Sequence, residues 1–107
     1  MQFYFSVGEV QQRSTELVGK ALRVSGIVVP DSVQFDPVGL HLEFCLVDQV
    51  GGDQSPLRVH MVGQAPPDQM GGEAKAIAEG HLEQDGSFRA EALMMTCASK
   101  YQADLSQ

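Results

Sequence analysis

Leu40-His41-Leu42-Glu43-Phe44-Cys45-Leu46-Val47-Asp48 is the most regular stretch of the chain. Apolar residues at every second position, Leu40, Leu42, Phe44 and Leu46, alternate with His41, Glu43 and Cys45. That period belongs to a strand with one face buried and one face wet. Leu57 to Val62 repeats the pattern, with Leu57, Val59 and Met61 set against Arg58, His60 and Val62. Upstream, Leu17 to Val29 reads as one long strand, with Leu22, Val24, Gly26 and Val28 inward and Arg23 and Ser25 outward. A glycine in mid-strand marks a sharp bend, as at a barrel corner.

Downstream lie two more candidate strands, 74–82 and 88–95, joined through Gln84-Asp85-Gly86, a hairpin signal. Glu73-Ala-Lys-Ala-Ile-Ala-Glu79 is rich in helix formers. The flanking Gly71-Gly72 and Gly80, and the hairpin that follows, favour a strand whose small alanines suit a narrow barrel interior. Further turn chemistry sits at Pro30-Asp31-Ser32, Asp36-Pro37-Val38-Gly39, Gly51-Gly52-Asp53 and Ala65-Pro66-Pro67-Asp68. Five short antiparallel strands, the first long and bent, predict an all-β protein: a small five-stranded OB-fold barrel with a flexible C-terminal tail.

The chain has 107 residues and a formal net charge of −7, from seven Lys and Arg against fourteen Asp and Glu. That length fits one domain. The acidic balance argues against nucleic acid and against an anionic membrane surface, since both are recognised mainly through Lys and Arg. No run approaches the ~20 apolar residues of a membrane span. No nucleophile elbow, phosphate loop or Ser/His/Asp arrangement is present, so the chain is not read as an enzyme.

Two cysteines, Cys45 and Cys97, do not make a disulfide framework; a bond between them stays open. His41 and His60 fall on outward faces of neighbouring strands and meet if the register allows, without the spacing of a zinc site. His81, at a strand end, reads as solvated. Met94 reads as core filler, alternating inward with Phe88. Met70, in a loop, reads as an exposed contact.

Beyond Met95 the β pattern stops, and Cys97-Ala-Ser-Lys-Tyr101 follows. A thiol and a phenol near each other suit haem. Sulfur attacks a vinyl carbon or binds iron, and a Tyr phenolate is an axial iron ligand. Lys100 beside the thiol favours the thiolate. The bland alternative is a thiol and a phenol that pack on the end of the barrel.

A resemblance bears on that choice. Gly19-Lys-Ala-Leu-Arg-Val-Ser-Gly-Ile-Val-Val-Pro-Asp-Ser-Val33, Leu42-Glu-Phe-Cys-Leu-Val-Asp48, Val59 to Gly63 with Pro67-Asp68, Ala78-Glu-Gly80-x-Leu82, Asp85-Gly-x-Phe-x-Ala90 and Cys97-Ala-Ser-Lys-Tyr101 stand in an order that resembles the periplasmic haem chaperones of cytochrome c maturation. It spans about Tyr4 to Tyr101. Most members attach haem through a His that stands four residues before a Tyr; a minority carry Cys-x-x-x-Tyr.

The resemblance implies that Cys97 attaches haem covalently and transiently and that Tyr101 is the axial iron ligand. The haem then goes to apocytochrome c through membrane-bound haem-delivery and haem-lyase proteins. It also implies residues 1–15 as a segment after an upstream single-pass anchor, 16–95 as the barrel and 96–107 as the haem-binding tail. The expected location is the extracytoplasmic face of the cytoplasmic membrane, and the expected state is a monomer that binds no nucleic acid. Members usually carry an aromatic where Met61 stands and another near Met70; both are Met here, which implies a thioether platform for the haem in place of an aromatic one. Arg23, Arg58 and Lys100 are the cations available to its propionates. The alternative is an OB-fold module that binds a protein or a nucleic-acid strand without haem.

Overall fold

The structure, a computed structural model, describes residues 4–67 and 74–96, with only the backbone of Thr96. The expectations for Met70, Cys97, Lys100 and Tyr101, and for the tail as a whole, lie outside the described residues.

A short strand β1 (Tyr4–Ser6) leads into helix α1 (Val7–Gln12), a second helical turn α2 (Ser14–Leu17) and then β2 (Ala21–Val28). A 3-10 turn at Pro30–Ser32 precedes β3 (Gln34–Asp36), β4 (His41–Val47), β5 (Leu57–Val62), β6 (Lys75–Leu82) and β7 (Phe88–Thr96). Five strands close on themselves in the order β2-β6-β7-β5-β4, with β4 returning to β2 through Ile27 opposite Val47 and Val28 opposite Leu46. All contacts around the ring are antiparallel except β5 with β7, which is parallel. This is the OB arrangement that the alternation predicts. The remaining two strands extend it: β1 lies parallel to β2, and β3 antiparallel to β4.

The core follows from the two-residue period. Leu22, Val24 and Val28 of β2, Leu42, Phe44 and Leu46 of β4, Leu57, Val59 and Met61 of β5, Ala76, Ala78 and Leu82 of β6, and Phe88 and Ala90 of β7 are buried in one cluster. Phe44 and Phe88 are the largest side chains fully enclosed; truncating either to Ala costs about 3–5 kcal/mol. The segment from Lys75 is a strand despite its helix-forming composition. As Ala76 and Ala78 are completely buried against larger partners, packing overrides propensity. Gly26 is indeed a close approach. A Cβ there would stand 3.0 Å from the Val7 side chain and 3.1 Å from the Val47 carbonyl oxygen, where β2 passes from β1 to β4.

Four details differ from the sequence reading. The long first strand begins at Ala21, because Leu17 ends α2 and Gly19, at φ 82°, turns the chain. Leu40 precedes β4 at φ 50° and is 44% exposed. Met61 is a core residue, 5% exposed, and so is no part of a haem platform. Met94 points outward, for a reason developed below.

The N-terminal elements had no counterpart in the sequence reading, yet Phe5, Val7, Val10 and Leu17 enter the core. Ser6 caps α1 through a capping box with Glu9: the Glu9 N–H donates to Ser6 Oγ and the Ser6 N–H to Glu9 Oε1. Asp48 then fastens α1 to the barrel, accepting from the Val7 N–H at 2.8 Å and the Gly8 N–H at 2.9 Å. Partial burial alone would raise the Asp48 carboxyl. The hydrogen bonds from Gln54, Gly8 and Val7 outweigh it and hold it below the usual carboxylate range.

Candidate functional site

Two outward faces of the barrel differ in chemistry, and each carries residues that the sequence reading named. The first is the outer surface of β1, β2, β6 and β7. Its rows follow from the register. Tyr4 lies beside Arg23, then Glu79, then Ala92; Ser6 beside Ser25, then Ile77, then Met94; Ile27 beside Lys75, then Thr96. Ile27, Ile77 and Met94 thus form an apolar band across three strands. Tyr4 is 56% exposed and Met94 47%, high values for large apolar side chains on a strand. A shallow groove of about 360 Å³ runs along the band's upper edge, lined by Tyr4, Ser25, Ile27, Asp48 and Lys75 among others.

Arg23 borders this band. Its Nε donates to Glu79 Oε2 at 2.6 Å and its Nη1 to the Tyr4 hydroxyl at 2.8 Å, and the guanidinium lies 5.2 Å from the Tyr4 ring centroid. The hydrogen bond to Glu79 is the larger of the effects that raise the Arg23 pKa, followed by the one to Tyr4. The cluster pins Tyr4 against β2, so the ring stands as a fixed wall beside the apolar band. Lys75 supplies a second cation on the row where β7 ends at Thr96.

The second face is the outer surface of β4 and β5. Glu43 lies opposite His60, and Cys45 opposite Arg58. The register does bring the two histidines together: the rings of His41 and His60 are 6.2 Å apart, edge to face. His60 Nε2 is 2.9 Å from Glu83 Oε1, and His41 Nε2 is 3.6 Å from Glu43 Oε2. Among the described residues, no group of three or more His, Cys, Asp or Glu is placed to hold a metal ion. Cys45 is half-buried, and its N–H donates to Ser32 Oγ. Arg58, a propionate candidate from sequence, stands on this face, away from the apolar band. His81 is about one-third exposed, with Nδ1 3.7 Å from Glu91 Oε1.

Sequence reasoning named Arg23 but missed Tyr4, Ile27, Lys75, Ile77 and the outward turn of Met94. The signal for the two isoleucines was present. Each occupies the outward phase of a strand whose inward phase is already apolar, a position that ordinarily carries a polar residue. No comparable signal exists for Tyr4, which depends on β1 pairing with a strand seventeen residues away.

The chain is thus an all-β barrel of the OB class with an apolar band on one outer face and cations at its margin. The model of the CcmE domain matches residues 1–104, nearly the whole chain and both residues of the Cys97/Tyr101 pair, and the chain belongs to that family. The family consists of haem chaperones of cytochrome c maturation, associated with the periplasmic side of the membrane. No curated protein matches the sequence. No helix of the described residues is long and apolar enough to cross a membrane.

Proposed function

We propose that this chain captures haem on the outer face of β1, β2, β6 and β7, links it covalently to Cys97, and passes it on for attachment to apocytochrome c. Haem is cargo here, not a resident cofactor, and no turnover chemistry is assigned to the barrel. The observation that carries the reading is the coincidence of the apolar band with the root of the tail. Ile27, Ile77 and Met94 offer an apolar, solvent-accessible surface, and β7 ends on the adjacent row.

The residues present fit a porphyrin in kind. An apolar macrocycle gains from covering exposed isoleucine, methionine and tyrosine at roughly 25 cal/mol per Å² removed from water. Its propionates are anionic and find Lys75 and the Arg23 guanidinium at the margin. Arg23 also serves Glu79 and Tyr4. The Met94 thioether also makes favourable contact with a flat aromatic system.

The covalent step conserves electrons. The Cys97 S–H adds across a haem vinyl double bond: one S–C bond forms, the thiol hydrogen moves to the other vinyl carbon, and the π bond is lost. No oxidant enters. Release is the reverse elimination, so hand-over requires the acceptor machinery to regenerate the vinyl group. Tyr101, four residues on, would bind the iron as phenolate. In this reading the barrel works at the extracytoplasmic face of the cytoplasmic membrane, held by a single-span anchor, and meets the haem-delivery and haem-lyase membrane proteins there.

The test is haemin added anaerobically to the reduced protein, followed by a haem stain after denaturing electrophoresis. Wild type is expected to give a stained band and Cys97→Ala none. Tyr101→Phe is expected to keep the band and shift the Soret maximum. Equal staining of wild type and Cys97→Ala would refute the thiol linkage.

A further inference from the structure

Counting in twos along β7 from the buried Phe88 puts Ala90, Ala92 and Met94 inside the barrel. The structure follows that count only as far as Ala90. Leu93 and Met95 are the residues that pack against the core, whereas Ala92 and Met94 are exposed. The inversion has one source. Gly80 of β6 faces Ala90, but Glu79 faces Ala92, so Glu91 has no cross-strand partner. An extra residue on one strand of a pair reverses the phase of all that follows.

Gly80 is what lets the bulge fit. A Cβ at this position would run into the Arg89 carbonyl oxygen and stand 2.9 Å from the Ala90 Cα. Both are backbone atoms and cannot swing aside as a side chain would. Gly80 is thus selected for space, at the point where the bulged strand presses on its neighbour. Without the bulge, regular pairing would set Glu91 opposite Glu79 and Met94 opposite Ala76, a fully buried position.

We propose that Gly80 and the unpaired Glu91 form a register device that turns Met94 onto the ligand-facing side of the sheet, which makes the buried Gly80 a positioning residue for haem capture. This rests on the outer apolar band being the haem seat. The Glu91 carboxylate is not needed, only the extra residue. Deleting Glu91 would leave residues 92–96 opposite 79–75 as they are now, in a ladder with no bulge for Gly80 to accommodate.

The device is tested without haem by thiol labelling of the full chain. In a background of Cys45→Ser and Cys97→Ser, Met94→Cys and Met95→Cys are each exposed to a maleimide. Position 94 is expected to react about tenfold faster than 95, because thiol reactivity follows access. The same order is expected with Glu91 deleted. Gly80→Ala is expected to collapse the ratio, and deletion of Glu91 in the same chain to restore it. With Cys97 retained, haem-stained yield should fall several-fold in Gly80→Ala and recover in the double variant, while Glu91→Ala stays near wild type. An unchanged ratio in Gly80→Ala, or a reversed order on deletion of Glu91, overturns the proposal. If Gly80→Ala does not fold, the deletion decides alone: position 94 still the faster upholds it, and 95 the faster overturns it. Labelling as expected with the same haem yield in every variant would uphold the register device, refute its part in capture and count against the outer band as the seat.

Discussion

The outer faces of β6–β7 and β4–β5 arise from the same alternation in the same barrel, yet only the first carries a group of apolar residues that runs on across neighbouring strands. On β4 and β5 the outward phase holds His41, Glu43, Cys45, Arg58 and His60, and it is knitted by His60 to Glu83. On β6 and β7 it mixes Lys75, Glu79, His81 and Arg89 with an apolar group, Ile77, Ala92 and Met94, continued by Ile27 on β2. A wet strand face needs polar residues only if water is its sole neighbour. Where apolar residues persist in the outward phase across three adjacent strands, something apolar is expected to cover them. The contrast also separates the exposed Val62, 69% accessible on the β5 side, from Met94: the former is isolated beside histidines, and the latter belongs to a band.

The sharpest way to break this comparison is a charge on each side. Met94→Glu is expected to weaken non-covalent haem binding by about tenfold or more, through a carboxylate buried under an apolar ligand and repelling its propionates. Val62→Glu should change it by less than about twofold. Titrations followed by Soret absorbance measure both, and equal losses would erase the distinction between the faces.

A smaller effect concerns the frame that holds Tyr4 in place. Asp48 ties α1, and with it β1, to the barrel. Asp48→Ala is expected to cost about 1–2 kcal/mol at pH 7, the range of a lost helix cap. Because the folded carboxyl lies below its ordinary value, its contribution is fully present above the unfolded carboxylate range. It is lost as the pH falls through the lower, folded value. Denaturant melts of the two proteins should therefore converge over the window that opens below about pH 4, the ordinary carboxylate value. A constant gap across that window would count against the hydrogen-bonded carboxylate.

The smallest effect belongs to the polar face. Glu83→Gln replaces the carboxylate whose Oε1 lies 2.9 Å from Nε2 of the partly exposed His60 and is expected to cost less than about 1 kcal/mol. Haem binding should be unaltered, as the pair stands on the β4–β5 side. A clear loss of Soret absorbance in this variant would move the ligand to the histidine face.

Most of the barrel was legible because the period-two signal is strong where one face is dry. Leu42, Phe44 and Leu46, and Leu57, Val59 and Met61, declare their strands unaided. What failed to show were features that depend on a partner strand. Met94 was misplaced because a bulge is a property of a pair: nothing in Ala90-Glu91-Ala92 announces that Glu91 goes unmatched, and Gly80 reveals it only once β6 and β7 are aligned. The start of β2 was misjudged for a similar reason, since Leu17 is as apolar inside α2 as it would be on a strand. The N-terminal helix did leave a local trace, the Ser6-x-x-Glu9 capping box. Cys97 and Tyr101 were legible only as a spacing and a family pattern.

Amide and methyl chemical shifts recorded during a titration of the full chain with zinc protoporphyrin would test the assignment of the ligand face most directly. The expected map runs through Tyr4, Ser25, Ile27, Lys75, Ile77, Ala92 and Met94, with His41, Glu43, His60 and Val62 unmoved. Perturbations gathered on β4 and β5 instead would contradict it.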